Sequence, residues 1–499
     1  MLKNVLANWS NIILSVVSVF FLYPFCVQVL GEEQYGIWLL ISSITGYFAL
    51  LQLGVPLANV RFISKYYARG EMEKVNEVVS SNFLFFSISG AVVFICGIGI
   101  AFLIDVVFQV PPEFRRVARL ATIIVSLNVA LSFSFEVFEG LLHGLQKFVY
   151  FNMVKNLLLL VRVVLTFVVL KYENGMLVLG ELLMGVTLLQ AAFFYIFVRF
   201  KHPEIRIRKK YFNFDVFKMV AGYSFYVLLF QFASKISFNT SSMVVGSVIS
   251  VQAIVFFTIA NNFIIYFMQL VSGVSNAIMP RVSQFDALNK KSGLQDIYLK
   301  YSRLTAFIVV PVCFGLFIFG GDFIALWMGE RYREVSGNIL SVLTLSSLFF
   351  LVQRGVAFPI LMGTSHLRFP TFLMAGTALL NLLLSLWWGS VYGLYGVAWG
   401  MTVPNFVNTV GLIWYTCRVL KVPVRDYLFR GVLIPLSAGI FFSIPGLLVH
   451  RAISIDSYLK FSGMIFVSVV VYLICCFAFY MDTEGRKEVF RKFGLSFVS

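Results

Sequence analysis

Long apolar runs separated by short charged stretches constrain this chain of 499 residues more than any other feature. Each run has about 20 residues or more, enough for a helix to cross the ~30 Å hydrocarbon layer of a membrane. Apolar residues make up 60% of the chain and charged residues 12%, outside the usual range of soluble domains. Membrane β-barrels instead consist of segments of about 10 residues with alternating polarity. The sequence therefore predicts an all-α polytopic membrane protein.

The apolar runs between charged or turn-rich breaks predict about 14 membrane-spanning helices. The first run follows Lys3 without a small-residue cleavage site, so it is expected to remain in the protein as span 1. Spans 1 to 14 have the approximate limits 8–29, 37–60, 77–104, 117–141, 151–170, 176–198, 217–240, 247–278, 302–320, 336–358, 371–389, 393–417, 431–449 and 458–480.

Basic residues are distributed unevenly between the two sides of these spans. Of the 39 lysines and arginines, 29 lie in or beside the segments that share a side with the N-terminus, and 8 lie on the opposite side. Because cytoplasmic loops carry the excess of Lys and Arg, both termini are expected to be cytoplasmic, in a multi-pass protein of the cytoplasmic (inner) membrane. The same asymmetry explains the net charge of +16, so no nucleic-acid partner is expected.

An internal repeat appears when the chain is compared with itself at an offset of 217 to 221 residues. The offset aligns Cys96 with Cys313, Asp105 with Asp322, and the motif GMLVLGELL with GLYGVAWGM. Two six-helix lobes of the same orientation follow, with a substrate path expected between them, as in transporters built from parallel repeats. The predicted segments are a first lobe at 1–200, a basic cytoplasmic linker at 201–216, a second lobe at 217–418, two extra transmembrane helices at 419–482, and a cytoplasmic tail at 483–499.

The cysteines and histidines give no indication of a metal or another cofactor. All six cysteines lie in or beside apolar runs, where they are typical of small buried hydrophobic residues. The four histidines are scattered along the chain without the spacing of a ligand set. No cofactor is therefore expected.

Residues 30–80 carry a more specific signal, in the sequence LGEEQYGIWLLISSITGYFALLQLGVPLANVRFISKYYARGEMEKVNEVVS. The LG..QYG entry to span 2, the LQLG turn, the Arg at the helix exit and the YYARGE loop resemble the start of polysaccharide transporters and O-antigen flippases of the Wzx type. These belong to the multidrug/oligosaccharidyl-lipid/polysaccharide exporter superfamily. The resemblance implies a flippase, not an enzyme, that moves undecaprenyl-diphosphate-linked oligosaccharide by alternating access for surface polysaccharide biosynthesis. Whether a proton or a sodium ion drives transport, and whether polysaccharide assembly proteins bind, stays open.

A flippase of this kind needs a polar, cationic path, because an unshielded diphosphate is too costly in hydrocarbon. Charged residues inside spans usually face a cavity or a partner, and amide side chains can both donate to and accept from sugar hydroxyls. Stripes of amide and hydroxyl residues on spans 1 and 8 could instead hold helices together. The substrate-binding candidates are Arg162, Lys235, Arg61, Arg354, Asn8, Asn11, Asn262, Gln269 and Asn276.

Several of the basic candidates have alternative interpretations. Arg162, in the middle of span 5, could bind diphosphate through its planar fork or form an ion pair with Glu136 or Glu139 of span 4. Lys235 could extend its side chain to the outer interface. Arg61 and Arg354 could be ordinary cytoplasmic anchors of their spans.

Glu136 and Glu139 are the candidates for coupling transport to a proton gradient. They lie three residues apart on one face of span 4, where two neighbouring carboxylates repel and one is expected to retain a proton. The alternative is a structural pair with Lys155 or Arg162. Two other functions stay open: a cation-coupled multidrug exporter of the same superfamily, and a membrane-embedded polysaccharide polymerase, although the short outer loops disfavour the polymerase.

Overall fold

The computed structural model describes residues 2–52, 55–172, 175–213, 225–288, 290–364, 366–452 and 455–480. All regular secondary structure within these ranges is helical. The main helices are α1 (Leu2–Gly46), α2 (Val55–Ala68), α3 (Met72–Val107), α4 (Arg115–Gly144), α5 (Phe148–Tyr172), α6 (Met176–Lys201), α7 (Phe225–Val248), α8 (Val251–Ala287), α9 (Lys291–Met328), α10 (Arg333–Gly363), α11 (Arg368–Leu420), α12 (Ile434–Ala452) and α13 (Tyr458–Cys475).

Helices α1 and α11 are each broken by a glycine with positive φ. Gly31 has φ 74° and Gly393 has φ 60°, conformations that residues with a Cβ rarely adopt. With 53 residues at 1.5 Å each, an unbroken α11 would be about 80 Å long, well beyond the thickness of a bilayer. A Cβ on Gly400 would lie 2.6 Å from the backbone nitrogen of Ser385, so the two arms of α11 pack against each other. Each of these helices therefore supplies two spans.

Within the described residues, 11 helical segments are long and apolar enough to cross a membrane. The segments containing Gly31 and Gly393 account for two spans each, which raises the number to 13. Helix α7 matches predicted span 7 and is the fourteenth; the residues of that span before Phe225 lie outside the described ranges. The prediction of an all-α polytopic membrane protein with about 14 spans is confirmed.

Predicted span 2, at 37–60, is not one continuous α-helix. The first part is the second arm of α1, which ends at Gly46 and continues as a 3-10 turn, Tyr47–Gln52, before α2 begins at Val55. Leu53 and Gly54 between them lie outside the described residues. The apolar run did not reveal this break, because hydropathy is the same for an α-helix and a 3-10 turn.

The chain divides into two compact units. Unit 1 comprises Met1–Val255 and Gly389–Leu394, and unit 2 comprises Phe256–Trp388 and Tyr395–Ser499. The lobe boundaries predicted from the repeat, with a linker at 201–216, stay a prediction.

In unit 1, the core lies between α3 and α4 and extends to α2, α5 and α6. Phe86 of α3 and Phe133 and Leu141 of α4 are fully buried in it. Glycines bring the helices close together, because a Cβ on Gly90 would lie 2.5 Å from the carbonyl oxygen of Ala130 and one on Gly97 would lie 2.2 Å from Cβ of Ser126. Close contact through small residues is the usual way in which helices associate in lipid.

In unit 2, α12 and α13 pack along the length of α9. Phe319 of α9 shares a core with Phe442 of α12 and Tyr472 of α13. Polar groups join the same helices: the Tyr472 hydroxyl donates to the Phe307 carbonyl oxygen at 2.7 Å, and Arg303 Nη2 donates to the Tyr480 carbonyl oxygen at 2.7 Å. At the other end of α9, His450 Nε2 lies 2.9 Å from Asp322 Oδ2. The two C-terminal helices are thus joined to α9 in its first half, at Arg303 and Phe307, and close to its end, at Asp322.

The repeat-related residues Asp105 and Asp322 have similar roles in their own units. Asp105, near the end of α3, accepts two hydrogen bonds from Arg119 of α4, at 2.8 and 3.0 Å. Asp322, near the end of α9, is 2.6 Å from Nη1 of Arg333, the first residue of α10. Each long helix is therefore joined by an ion pair to the helix that follows it. At the repeat offset of 217 residues, Arg333 aligns with Arg116 and not with Arg119. The equivalent aspartates are therefore paired with arginines at non-equivalent positions.

Candidate functional site

The predicted polar face of span 1 lies against α5 in unit 1. Asn11 Nδ2 of α1 donates to Asn156 Oδ1 of α5 at 2.8 Å, and Asn156 Nδ2 donates to Ser10 Oγ at 3.1 Å. Asn11 is half-buried, and the side chain of Asn8 lies outside the described residues. Hydrogen bonds between amide side chains stabilise contacts between helices in lipid. Part of this face therefore joins α1 to α5, as the alternative interpretation predicts.

Arg162 is half-buried on α5, six residues beyond Asn156, which is about 9 Å along the helix. Cys26 and Tyr35, one on each arm of α1, lie near its guanidinium. Among the described residues, this guanidinium forms no ion pair and donates no hydrogen bond to a side chain or a carbonyl oxygen. A charged group without a partner is costly in a medium of low dielectric constant, so this position favours the binding of an anion.

Arg162 does not form the ion pair with Glu136 or Glu139 of α4 that was its predicted alternative role. Glu139 Oε2 lies 3.0 Å from Lys155 Nζ, and Glu139 Oε1 accepts a hydrogen bond of 2.7 Å from Gln190 Nε2 of α6. The other predicted partner, Lys155, is therefore the partner of Glu139. With both oxygens of Glu139 engaged, Lys155 and Glu139 form a structural pair that connects α4, α5 and α6.

Glu136 lies one turn before Glu139 on α4 and is half-buried. Within the described part of the chain its carboxylate has neither a hydrogen bond nor an ion pair, although it interacts electrostatically with Glu139 and Lys155. The two predicted coupling residues thus differ, because Glu139 is held in place by two neighbours and Glu136 is not. Nearby, the His143 ring packs edge-on against the ring of Phe151, with the centroids 4.3 Å apart.

Lys235, which the repeat assigns to the second lobe, belongs to unit 1 together with Arg162. Its carbonyl oxygen accepts a hydrogen bond of 3.2 Å from the Tyr47 hydroxyl, which also contacts Thr240 Oγ1. Its ammonium group has no ion pair within the described ranges and is half-buried. The structure therefore gives Lys235 a place in the interior of unit 1, but no contact with Arg162.

The candidates in unit 2 are more dispersed. Asn262 is half-buried and Gln269 is exposed, both on α8, and the side chain of Asn276 on the same helix lies outside the described residues, as does that of Arg61 in unit 1. Arg354 is half-buried on α10, where its carbonyl oxygen and that of Gly355 lie 3.5 and 3.0 Å from Ser275 Oγ of α8. The Ser275 hydroxyl thus joins α8 to the backbone of α10.

Asn156 and Gln190 are site residues that the sequence did not single out. Each is an amide within a mostly apolar span, which is the same signal that identified Asn11 and Asn262. Their importance depends on which residues face them across the helix contact, and hydropathy does not contain that information.

The arrangement of helices matches that of known membrane transporters. The structure titled lipid II flippase MurJ, in an inward closed conformation, superposes with a TM-score of 0.73 at 17% identity and covers 96% of this chain and 99% of its own. An inward-facing multidrug resistance transporter of the MATE family gives a TM-score of 0.71 at 15% identity and covers 81% of this chain and 95% of its own. The fold is therefore that of the MurJ and MATE transporters.

Sequence relatives give the family. The family model described as "Polysaccharide biosynthesis protein" matches residues 30–337, more than half of the chain, and the protein belongs to that family. "Uncharacterized membrane protein EpsK" of Bacillus subtilis (strain 168) is 24% identical over 98% of this chain and 97% of its own length. "Putative O-antigen transporter" of Shigella flexneri is 20% identical over 80% of this chain and 93% of its own length. The resemblance to polysaccharide transporters is thus confirmed, and none of these names describes an enzyme.

Proposed function

We propose that this protein is a flippase that moves undecaprenyl-diphosphate-linked oligosaccharide units across the cytoplasmic membrane for surface polysaccharide biosynthesis. The family supports a role in polysaccharide production, and the fold supports transport. The observation that carries the choice of substrate is Arg162, a guanidinium within the helices of unit 1 that has no carboxylate partner among the described residues. A site of this charge suits an anion rather than a cationic drug.

The chemistry of arginine fits a diphosphate. Its guanidinium stays charged, and its planar fork can donate to two phosphate oxygens at once. Asn11 of α1 and Asn156 of α5 meet at the contact between these helices, and their amides have further capacity to donate to and accept from sugar hydroxyls. In this proposal Arg162 holds the diphosphate while the polar face of α1 and α5 replaces water around the first sugars. Lys235, half-buried in the same unit, adds positive charge.

Transport by alternating access is part of the proposal, with the site open to each side of the membrane in turn. A loaded site closed to one leaflet would release the lipid-linked oligosaccharide only to the other. Glu136 is proposed as the group that couples this cycle to a proton gradient, because it is the half-buried carboxylate of α4 that has no bonded partner in the described ranges.

Loss of the protein is expected to leave lipid-linked oligosaccharide on the cytoplasmic leaflet, because the protein is the proposed carrier of this lipid across the membrane. The experiment is a depletion strain in which the accumulated lipid is identified by mass spectrometry and its leaflet is determined by accessibility to an added glycosidase in right-side-out and inverted vesicles. Re-expression of the wild-type chain is the control. Changed sensitivity to cationic drugs without any accumulated lipid would instead favour the multidrug exporter.

Both termini are proposed to be cytoplasmic, because of the excess of basic residues on that side. Reporter fusions after residues 205 and 485 are expected to report the cytoplasm, and a fusion after 325 the outside. Residue 325 lies near the end of α9, and residue 485 lies beyond the described residues. Fusions of a phosphatase and of a fluorescent protein at the same three positions measure this directly. A cytoplasmic signal at 325 would contradict the orientation.

A further inference from the structure

After α6 ends at Lys201, the chain returns along the first turns of α3 in a segment, 201–213, which we call the basic strap; it has a turn at 203–204, no regular structure at 205–208 and a 3-10 turn at Lys209–Tyr211. Side chains of α3 hold its backbone. Asn76 Nδ2 donates to the Glu204 carbonyl oxygen at 3.3 Å, and Asn76 Oδ1 accepts from the Arg206 nitrogen at 2.8 Å. Ser80 Oγ donates to the Arg206 carbonyl oxygen at 3.4 Å and accepts from the Arg208 nitrogen at 3.1 Å.

The spacing of helix and strap explains why these bonds form together. Asn76 and Ser80 are one helical turn apart, about 6 Å along α3, and alternate residues of an extended chain are about 6.6 Å apart. Asn76 and Ser80, on successive turns of α3, therefore both reach backbone groups of the strap, at Glu204, Arg206 and Arg208. Further along, Ser81 Oγ accepts from the Asn213 nitrogen at 3.0 Å. The strap is thus fixed on unit 1 at three positions.

Alternation along the strap separates apolar from basic side chains. Ile205 is buried in the core of unit 1, and Ile207 packs against it. Arg206 and Arg208 point the other way and are exposed, and within the described residues neither has an ion pair. Three carboxylates lie near the strap, and each has another neighbour. Glu204 lies 3.2 Å from His202, Glu71 lies 2.6 Å from Lys74, and Glu77 accepts a hydrogen bond of 3.4 Å from Asn213 Nδ2. Within the described residues, none of the three forms an ion pair with Arg206 or Arg208, so both guanidinium groups can bind an anion.

We expect the strap to lie at the depth of lipid headgroups. Residues 76 to 81 of α3, which it contacts, are where the apolar part of that helix begins. Aromatic residues at both ends of the strap are exposed, with Phe200 79% and Phe212 43% accessible. Lys210 Nζ lies 4.6 Å from the centre of the Tyr211 ring. Aromatic and basic residues together are typical of the membrane interface.

We propose that the basic strap is a binding site for anionic phospholipid headgroups, in which Arg206 and Arg208 contact the phosphates and the exposed aromatic residues reach the upper part of the acyl chains. The separation of alternate side chains, about 6.6 Å, is suited to two adjacent headgroups or to one lipid with two phosphates. Because α3 holds the strap, the arginines are ordered before lipid binds, and less conformational entropy is lost on binding. This site is independent of the substrate that the protein transports.

Binding of fluorescent phosphatidylglycerol to the full chain in phosphatidylcholine nanodiscs tests the proposal. Arg206→Gln with Arg208→Gln is expected to weaken binding roughly 25-fold, since each basic residue near an anionic surface contributes a factor of about 5. The matched control is Lys290→Gln with Lys291→Gln, which removes two exposed charges elsewhere and is expected to leave binding unchanged. Asn76→Ala with Ser80→Ala keeps every charge but loosens the strap, and it is expected to weaken binding to a smaller extent.

The proposal is overturned if the double arginine variant binds phosphatidylglycerol as tightly as the wild type. It is also overturned if the lysine control loses as much binding as the double arginine variant, because net charge alone would then be responsible. Competition with inorganic pyrophosphate identifies the source of the phosphate. Displacement of the lipid by micromolar pyrophosphate would assign the strap to a soluble diphosphate rather than to a headgroup. Unchanged thermal unfolding of the double arginine variant is expected, because its backbone bonds to Asn76 and Ser80 remain.

Discussion

Replacing Arg162 by alanine is expected to reduce translocation at least 10-fold while leaving normal amounts of folded protein in the membrane. The reason is that the guanidinium has no structural ion pair to lose among the described residues, whereas a bound diphosphate would lose its bidentate donor. Arg162→Lys keeps the charge without the planar fork, so an intermediate reduction of about 3-fold is expected. The measurement is the rate at which lipid-linked oligosaccharide becomes accessible on the far side of proteoliposomes.

Lys171→Ala is the matched control for Arg162, because it removes a positive charge from the same helix at an exposed position near its end. Its rate is expected to equal that of the wild type. If Arg162→Ala flips lipid normally, the cationic site is wrong. If that variant fails to accumulate in the membrane, and Arg162→Lys restores its amount but not its rate, the arginine also contributes to folding and the role in binding still stands.

Replacing Glu136 by glutamine is expected to abolish the part of translocation that depends on a proton gradient and to leave stability unchanged. The carboxylate makes no bond to a described residue, and glutamine has nearly the same shape but cannot gain or lose a proton. Glu139→Gln is expected to behave differently, because it leaves the partly buried Lys155 without its carboxylate. We expect it to lower the free energy of unfolding by about 1 to 2 kcal/mol.

The double variant Glu136→Gln with Glu139→Gln is expected to combine the two effects, with loss of gradient dependence and reduced stability. Glu181→Gln serves as the control, since it neutralises an exposed carboxylate of α6 in the same unit. Rates in proteoliposomes with and without an imposed pH difference separate coupling from uncoupled flipping, and thermal unfolding in detergent reports stability. Undiminished stimulation by the pH difference in Glu136→Gln would eliminate this carboxylate as the coupling group.

Hydropathy predicted the helices well wherever the membrane alone decides the structure. Span 5 was predicted at 151–170, and α5 extends over Phe148–Tyr172. Span 9 was predicted at 302–320, but α9 begins at Lys291 and ends at Met328, because a helix can continue into water with polar residues that hydropathy excludes. The break at Gly31 lies in the gap between predicted spans 1 and 2, whereas the break at Gly393 falls on the first residue of predicted span 12, just after the gap at 390–392.

The site was predicted less completely, because pairing depends on distances between helices. The sequence identified Arg162, Glu136 and Glu139 as charges at membrane depth. It offered Arg162 and Lys155 equally as partners of the carboxylates, and only the packing of α4 against α5 and α6 assigns Glu139 to Lys155 and Gln190. The sequence shows which charged residues lie within apolar spans. It does not show which residue of another helix pairs with each of them.

The attachment of α12 and α13 to α9 has a mechanical consequence. The hydrogen bond from Tyr472 to the Phe307 carbonyl oxygen lies within predicted spans 9 and 14, where no water is available to replace it, so it opens less readily than a bond at a wet surface. Together with the bond from Arg303 to Tyr480 and the contact of His450 with Asp322, it opposes sliding and pivoting of the three helices. We therefore expect any movement of α9 during a transport cycle to carry α12 and α13 with it. Such a movement also has to displace the lipid that surrounds these two helices.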